Sequence, residues 1–226
     1  MSVVANFINI QKKIASAAAR SGRSSEEVRL VAVTKTVPAK TVSEAIGAGI
    51  QDIGENRVQE ASEKFGLLPP VRTHLIGHLQ ANKARRAVEL FDWIHSIDSF
   101  KLAERVDKIA SELGKRPSVL IQVDIGKEST KTGIDEKEVV KFAQFLVSCK
   151  NLALCGLMTI PPYFENSEDV RPFFKRLNEL LAEVNSACNL ATPLTELSMG
   201  MSHDFEIAIE EGATMVRIGT ALFGSR

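Results

Sequence analysis

The chain has 226 residues, 44% of them hydrophobic and 25% charged, proportions of a soluble globular protein with a sizeable core. Lys plus Arg and Asp plus Glu each number 28, so the formal charge is zero and no overall field draws in nucleic acid or an anionic membrane. No uninterrupted apolar stretch is long enough to span a bilayer, which argues against a membrane protein.

In chain order, the first element is a helix within 1–20, with Val4, Phe7, Ile8 and Ile14 on one face. Asn6, Asn9, Gln11, Lys12 and Lys13 interrupt it too often for a signal peptide. The run Val28-Arg29-Leu30-Val31-Ala32-Val33-Thr34 then reads as a buried parallel strand that closes on Lys35 before the turn Thr36-Val37-Pro38. Further strands are expected at 52–55, 73–77, 93–97, 118–124, 153–159, 196–199 and 215–219. Amphipathic helices are expected at 41–48, 80–90, 100–113, 135–148, 168–187 and 205–211, with helix-end glycines at Gly49, Gly114 and Gly212. This alternation predicts an α/β fold, a single (β/α)8 TIM barrel over residues 1–226 with an extra N-terminal helix. A doubly wound open sheet is the alternative, although no GxGxxG follows the first strand. Cys149, Cys155 and Cys188 have no metal-ligand spacing and an odd count, as expected of reduced, buried thiols in a cytoplasmic protein.

In a barrel the site lies where the strands end, and polar residues gather at those ends. Lys35 closes the first strand, where it either snorkels to the rim beside a carboxylate or, partly desolvated, attacks a carbonyl as an amine nucleophile. Gly54-Glu55-Asn56 ends the second strand, His74 to Lys83 follow the third, and Gly156-Leu157-Met158-Thr159 end the sixth. His74 and His78 do not share a helical face and have no third ligand at a sensible spacing, so no metal site is expected. They read instead as packing or hydrogen-bonding residues near the barrel mouth. Ser198, Gly200 and Ser202, with Gly219 and Thr220, lie where strands seven and eight run into the loops in which barrels hold phosphate. Arg217 alternates within its strand so that it faces either the barrel interior or a helix. It is read either as half of an ion pair with a glutamate or as a hydrogen-bond donor to a ligand's ring nitrogen. A Schiff-base lysine, a phosphate cup and a ring-nitrogen arginine together describe a site for pyridoxal 5′-phosphate.

On these motifs the chain resembles the pyridoxal phosphate homeostasis proteins, single-domain relatives of the alanine racemase barrel. The resemblance runs through Leu30 to Lys35, Gly54-Glu55-Asn56, His74 to Lys83, Gly156 to Ile160, Leu197 to Ser202 and Val216 to Thr220. It implies a fold-type III barrel without the racemase's second β domain, and pyridoxal phosphate held as a Schiff base on Lys35. It implies cofactor contacts from Asn56, Met158, Ser198, Met199, Gly200, Ser202, Arg217, Gly219 and Thr220, with Arg217 beside the pyridine nitrogen. Arg57 departs from the tyrosine the family often carries after Gly-Glu-Asn.

The resemblance further implies a cytoplasmic protein of vitamin B6 and amino-acid homeostasis, without a firmly assigned reaction. Apo-enzymes are its implied cofactor recipients, and the lack of a racemase-type second domain favours a monomer. The alternative is an amino-acid racemase of low or narrow activity. An arginine at the ring nitrogen suits racemisation better than transamination. A two-base racemase, however, needs an acid or base on the opposite face, and the one tyrosine, Tyr163, is read as a solvated loop residue. A third possibility is an aldolase-type barrel whose Lys35 attacks a sugar phosphate directly, which would leave Arg217 without a role.

Overall fold

The computed structural model describes residues 2–126, 132–190 and 192–224. Eight parallel strands run around its centre: β1 (Arg29–Val33), β2 (Asp52–Glu55), β3 (Arg72–Leu75), β4 (Trp93–Ile97), β5 (Ser118–Asp124), β6 (Ala153–Met158), β7 (Glu196–Ser198) and β8 (Met215–Ile218). Each pairs with the next, β8 pairs with β1, and the β4–β5 ladder completes the ring, so the open-sheet alternative is ruled out. A two-residue strand, Ile134–Asp135, lies outside the ring beside β5. The helices are α1 (Val3–Arg20), α2 (Ala39–Gly47), α3 (Val58–Lys64), α4 (Ala84–Leu90), α5 (Phe100–Leu113), α6 (Val139–Ser148), α7 (Arg171–Cys188), α8 (Phe205–Glu210) and α9 (Thr220–Phe223).

Strand alternation divides the core in two. Leu30, Ala32, Ile53, Leu75, Leu197, Val216 and Ile218 face outward into the layer that the helices cover. Val31, Val33, Ile76, Leu120, Met158 and Met215 form a second, inner cluster inside the ring. Because both faces of every strand are covered, the strands read as near-continuous apolar runs. Any polar residue of inward parity is therefore forced to find a partner inside the barrel.

Local signals set the helix ends. The Ser99 hydroxyl accepts from the Leu102 N–H at the start of α5, and Gly114 ends that helix at φ 62°. Gly49 and Gly212 also have positive φ, as their placement predicted. Three helices begin later than the periodicity indicates, because 3-10 turns at Ala81–Lys83, Glu136–Glu138 and Ser167–Val170 precede them. The short helices α3 and α9 were not expected, since so few residues carry almost no 3.6-residue period. The buried face of α1 is Ile10, Ile14, Ala17 and Ala18, rotated from the expected one, and Val4 and Ile8 are exposed. Of the three free cysteines only Cys149 is buried; Cys155 and Cys188 are half-buried. Burial pushes all three thiols up.

Gly156 has no room for a side chain. A Cβ there would stand 1.9 Å from the Glu196 carbonyl oxygen on β7. Gly156→Ala must force β6 away from its paired neighbour β7, and we expect a loss of about 3 kcal/mol, measurable as a lowered denaturant midpoint.

Candidate functional site

Lys35 stands two residues past the end of β1, not at its last position, and is exposed rather than withdrawn from solvent. It shares the inward parity of Val31 and Val33, which line the barrel interior. No hydrogen bond or ion pair holds its amine among the described residues, whereas its backbone is held on both sides. The Thr34 carbonyl accepts from Lys64 Nζ at 2.7 Å and from the Val37 N–H at 3.0 Å. The Thr36 N–H donates to Glu60 Oε1 at 2.5 Å. Thr36 has φ 60°, a strained value for a β-branched residue, in the turn that redirects the chain toward Pro38 and α2. Beneath the turn, the Thr34 hydroxyl and Lys64 Nζ both donate to the fully buried Glu55 Oε1, each at 2.7 Å. Burial raises the Glu55 carboxyl above its ordinary value, against the opposing pull of Lys64 and Thr34. Helix α3 thus supplies, through Glu60 and Lys64, the clamp on the Lys35 turn.

Arg217 faces the barrel interior and is 3% exposed. Its Nη1 donates to Ser198 Oγ at 2.7 Å and its Nη2 to the Thr159 carbonyl at 2.8 Å. Among the described residues no carboxylate pairs with it, so the glutamate partner considered for Arg217 is not found. Burial, only partly offset by the field of Asp204, pushes its pKa down to about 10, so it remains a cation at neutral pH. Ser198 also meets His95, and the bonds continue: His95 Nδ1 to Ser198 Oγ 2.9 Å, His74 Nδ1 to His95 Nε2 2.9 Å, His74 Nε2 to Asp52 Oδ1 2.9 Å. Arg72 then holds Asp52 with two bonds of 2.7 and 2.8 Å at the opposite mouth of the barrel.

The loops after β7 and β8 meet where the sequence places them. Ser202 Oγ accepts from the Gly219 and Ala221 N–H groups, both at 3.3 Å. Thr220 is exposed and opens α9. Gly200 has φ 88°, and a Cβ there would lie 2.5 Å from that of Ala208. Two of the residues expected at this loop turn their side chains away from it. The Ser198 hydroxyl belongs to the interior chain rather than to this loop, because its parity on β7 is inward. The Met199 side chain packs in the outer core beside the helices, so only its backbone can face the loop. Met158 lies in the inner cluster with Val31 and Val33.

Asn56 is half-buried at the end of β2, and Gly77 lies directly against it. A Cβ on Gly77 would come within 2.3 Å of the Asn56 carbonyl oxygen. Beside them opens a cavity of about 410 Å³ whose lining includes Asn56, Arg57, His78 and Lys83. Arg57 is thus a rim residue. His78 is exposed there and bonds Asp98 at 3.1 Å, whereas His74 is fully buried, so the two histidines have unrelated roles. No cluster of metal-ligating side chains occurs among the described residues. Tyr163 is 77% exposed, with its ring 5.4 Å from that of His203.

The sequence reading gave no role to Asp52, His95 or α3's Glu60 and Lys64. Asp52, His74 and His95 carried one usable signal: polar side chains of inward parity in strands whose two faces are both buried. Glu60 and Lys64 carried none, because their partners lie on the other side of a turn.

Comparison with known proteins gives a consistent result. Residues 7–226 match the family model described as alanine racemase, N-terminal domain. A pyridoxal phosphate homeostasis protein of Aquifex aeolicus is 42% identical over 228 residues, spanning 100% of this chain and 99% of that protein. Its counterpart in Escherichia coli is 42% identical over 98% of this chain and 95% of its own length. The solved structure of PipY of Synechococcus elongatus, with pyridoxal phosphate bound, superposes with a TM-score of 0.83 at 42% identity, covering 93% of this chain and 100% of that one.

Proposed function

The chain belongs to the alanine racemase N-terminal domain family and, within it, to the pyridoxal phosphate homeostasis proteins, and from this membership we propose that it binds pyridoxal phosphate as a Schiff base on Lys35. The observation that carries the assignment is the convergence of three separate features on one barrel. Among the described residues, an amine without a partner stands on a clamped turn, a buried arginine lacks a carboxylate, and two backbone N–H groups converge on one hydroxyl. The residues fit the cofactor. Lys35 would supply the amine for the aldehyde, Ser202 with the Gly219, Thr220 and Ala221 backbone would hold the phosphate, and Arg217 would donate to the pyridine nitrogen. Gly200 lets the loop after β7 approach closely, Asn56 and Met158 border the ring, and Ser198 and Met199 contribute indirectly.

When bound, the cofactor supplies an electron sink, and an arginine donor at its ring nitrogen makes that sink weak. The reading is therefore a carrier serving vitamin B6 and amino-acid homeostasis, acting as a monomer and handing its cargo to apo-enzymes. Tyr163, exposed against His203, is not held as a second base would have to be, which disfavours the racemase alternative. No described helix is long and apolar enough to cross a membrane.

The test is to add pyridoxal phosphate, reduce with borohydride, digest, and locate the adduct by mass. The adduct is expected on the peptide that carries Lys35. An adduct elsewhere, or none, overturns the assignment.

A further inference from the structure

The hydrogen bonds from Arg217 inward can run in only one direction. Asp52 is ionised: burial alone would raise its carboxyl, but the His74 and Arg72 bonds outweigh burial and hold it below its ordinary value. It can only accept, so His74 donates from Nε2. Burial lowers His74 and holds His95 well below its ordinary value, so both rings are neutral. A neutral His74 that donates from Nε2 must accept at Nδ1, so His95 donates from Nε2 and accepts at Nδ1. The Ser198 hydroxyl then donates to His95, and its oxygen is left to accept from Arg217. Every proton is assigned, from a buried cation at one end to a buried anion at the other.

We propose that Ser198, His95, His74 and Asp52 are positioning residues for the cofactor ring, a buried one-way hydrogen-bond chain that fixes the plane and the charge of Arg217. The inference rests on the reading that Arg217 meets the pyridine nitrogen. A purely space-filling role is a poor account of the chain, since apolar residues of similar volume usually fill an interior at no loss of stability. The inner cluster of Val31, Val33, Ile76, Leu120, Met158 and Met215 does so in this same barrel. Instead five polar side chains, each no more than 3% exposed, are aligned end to end. Because Ser198 and the Thr159 carbonyl offer Arg217 only acceptor atoms, the guanidinium keeps its protons and its orientation. The field of Asp204 favours the same charged form. The far end of the chain meets Arg72, which is partly exposed on the other side of the barrel. A change there is therefore transmitted to Arg217 by a continuous set of bonds.

The experiment compares the absorption spectrum and the pyridoxal phosphate dissociation constant of the wild type with those of S198A, S198T, D52N and R217Q. Ser198→Ala removes one link and leaves Arg217 Nη1 and His95 Nδ1 without partners. A shifted absorption band and roughly tenfold weaker binding are expected, the usual scale for losing a hydrogen bond to a charged group. Ser198→Thr, which keeps the hydroxyl, is expected to restore both. Asp52→Asn preserves shape but removes the anionic end, and a smaller shift in the same direction is expected. An Arg217→Gln spectrum identical to the wild type would show that Arg217 does not meet the ring, ending both the reading and the inference. A shifted Arg217→Gln spectrum with unchanged S198A and D52N spectra would leave the reading intact and overturn the inference alone. If Ser198→Ala does not fold, D52N decides: an unshifted band overturns the proposal. A merely structural role would lower the melting temperature of these variants and leave the band of the loaded protein where it was.

Discussion

Lys35→Ala is expected to abolish the borohydride-trappable adduct while changing the unfolding free energy by less than about 0.5 kcal/mol, the ordinary range for an exposed side chain away from packed features. These two effects separate because the fold invests in the backbone around Lys35, not in its amine. The carbonyl of Thr34 and the N–H of Thr36 are both taken by side chains of α3, whereas the ammonium makes no bond among the described residues. Affinity for pyridoxal phosphate is expected to fall on the order of 100-fold or more. An amine held beside the carbonyl reacts at the high effective molarity of an oriented pair, and the variant loses that advantage. Residual binding through the phosphate loop and Arg217 would remain, visible as an unmodified aldehyde spectrum. An adduct of undiminished yield in the variant would show that another lysine carries the cofactor.

Lys64→Met is expected to be the most damaging single change in the clamp. It leaves Glu55, fully buried, with one of its two carboxyl oxygens already unpartnered and the other reduced to the Thr34 hydroxyl. Removing one partner of a buried ion pair costs about 3–5 kcal/mol, chiefly the penalty of the charge left behind. The double variant Glu55→Gln/Lys64→Met is expected to recover some of that loss, since no ionised group then remains buried at the site. The pH dependence has a definite sign. The folded-state Glu55 carboxyl is already raised above its ordinary value by burial, and losing Lys64 raises it further. A carboxyl raised in the folded state binds more protons there than in the unfolded chain, so stability falls as pH rises. The Lys64→Met protein is therefore expected to be most stable below the ordinary carboxylate range. It should lose stability as pH climbs from that range through the raised folded value, measured as melting temperature against pH. A melting temperature that rises over this window would contradict the assignment of Glu55 as the buried charge. Because Lys64 also bonds the Thr34 carbonyl, the same variant should form the Lys35 adduct in lower yield even where it is folded.

The two variants divide what is legible in the chain from what is not. Lys35, Arg217 and the Ser198 to Ser202 and Gly219–Thr220 stretches stand out because each breaks a local pattern: a charge closing an apolar run, a charge inside one, and glycine–hydroxyl clusters after strands. Such breaks are visible in one dimension because strand parity and element ends are local properties. The order of eight strand–helix units, and with it the barrel, follows from the same periodicities. Helix α3 escaped because seven residues with apolar positions at Val58 and Ala61 carry too little period to register.

The sequence by itself thus determined the barrel, the position of Lys35 near the end of its first strand, and the two loops that meet after β7 and β8. Only the tertiary structure decided which side chains serve them. Ser198 turned from the phosphate loop to the interior, since the closure of the ring put its hydroxyl between Arg217 and His95, 19 residues from the first and 103 from the second. His74 proved to be a buried link rather than a residue of the mouth. Lys64 and Glu60 became the clamp of a turn some 30 and 24 residues away. Hydrogen bonds across such separations depend on where closed strands and packed helices bring atoms within about 3 Å, and no local pattern encodes that distance.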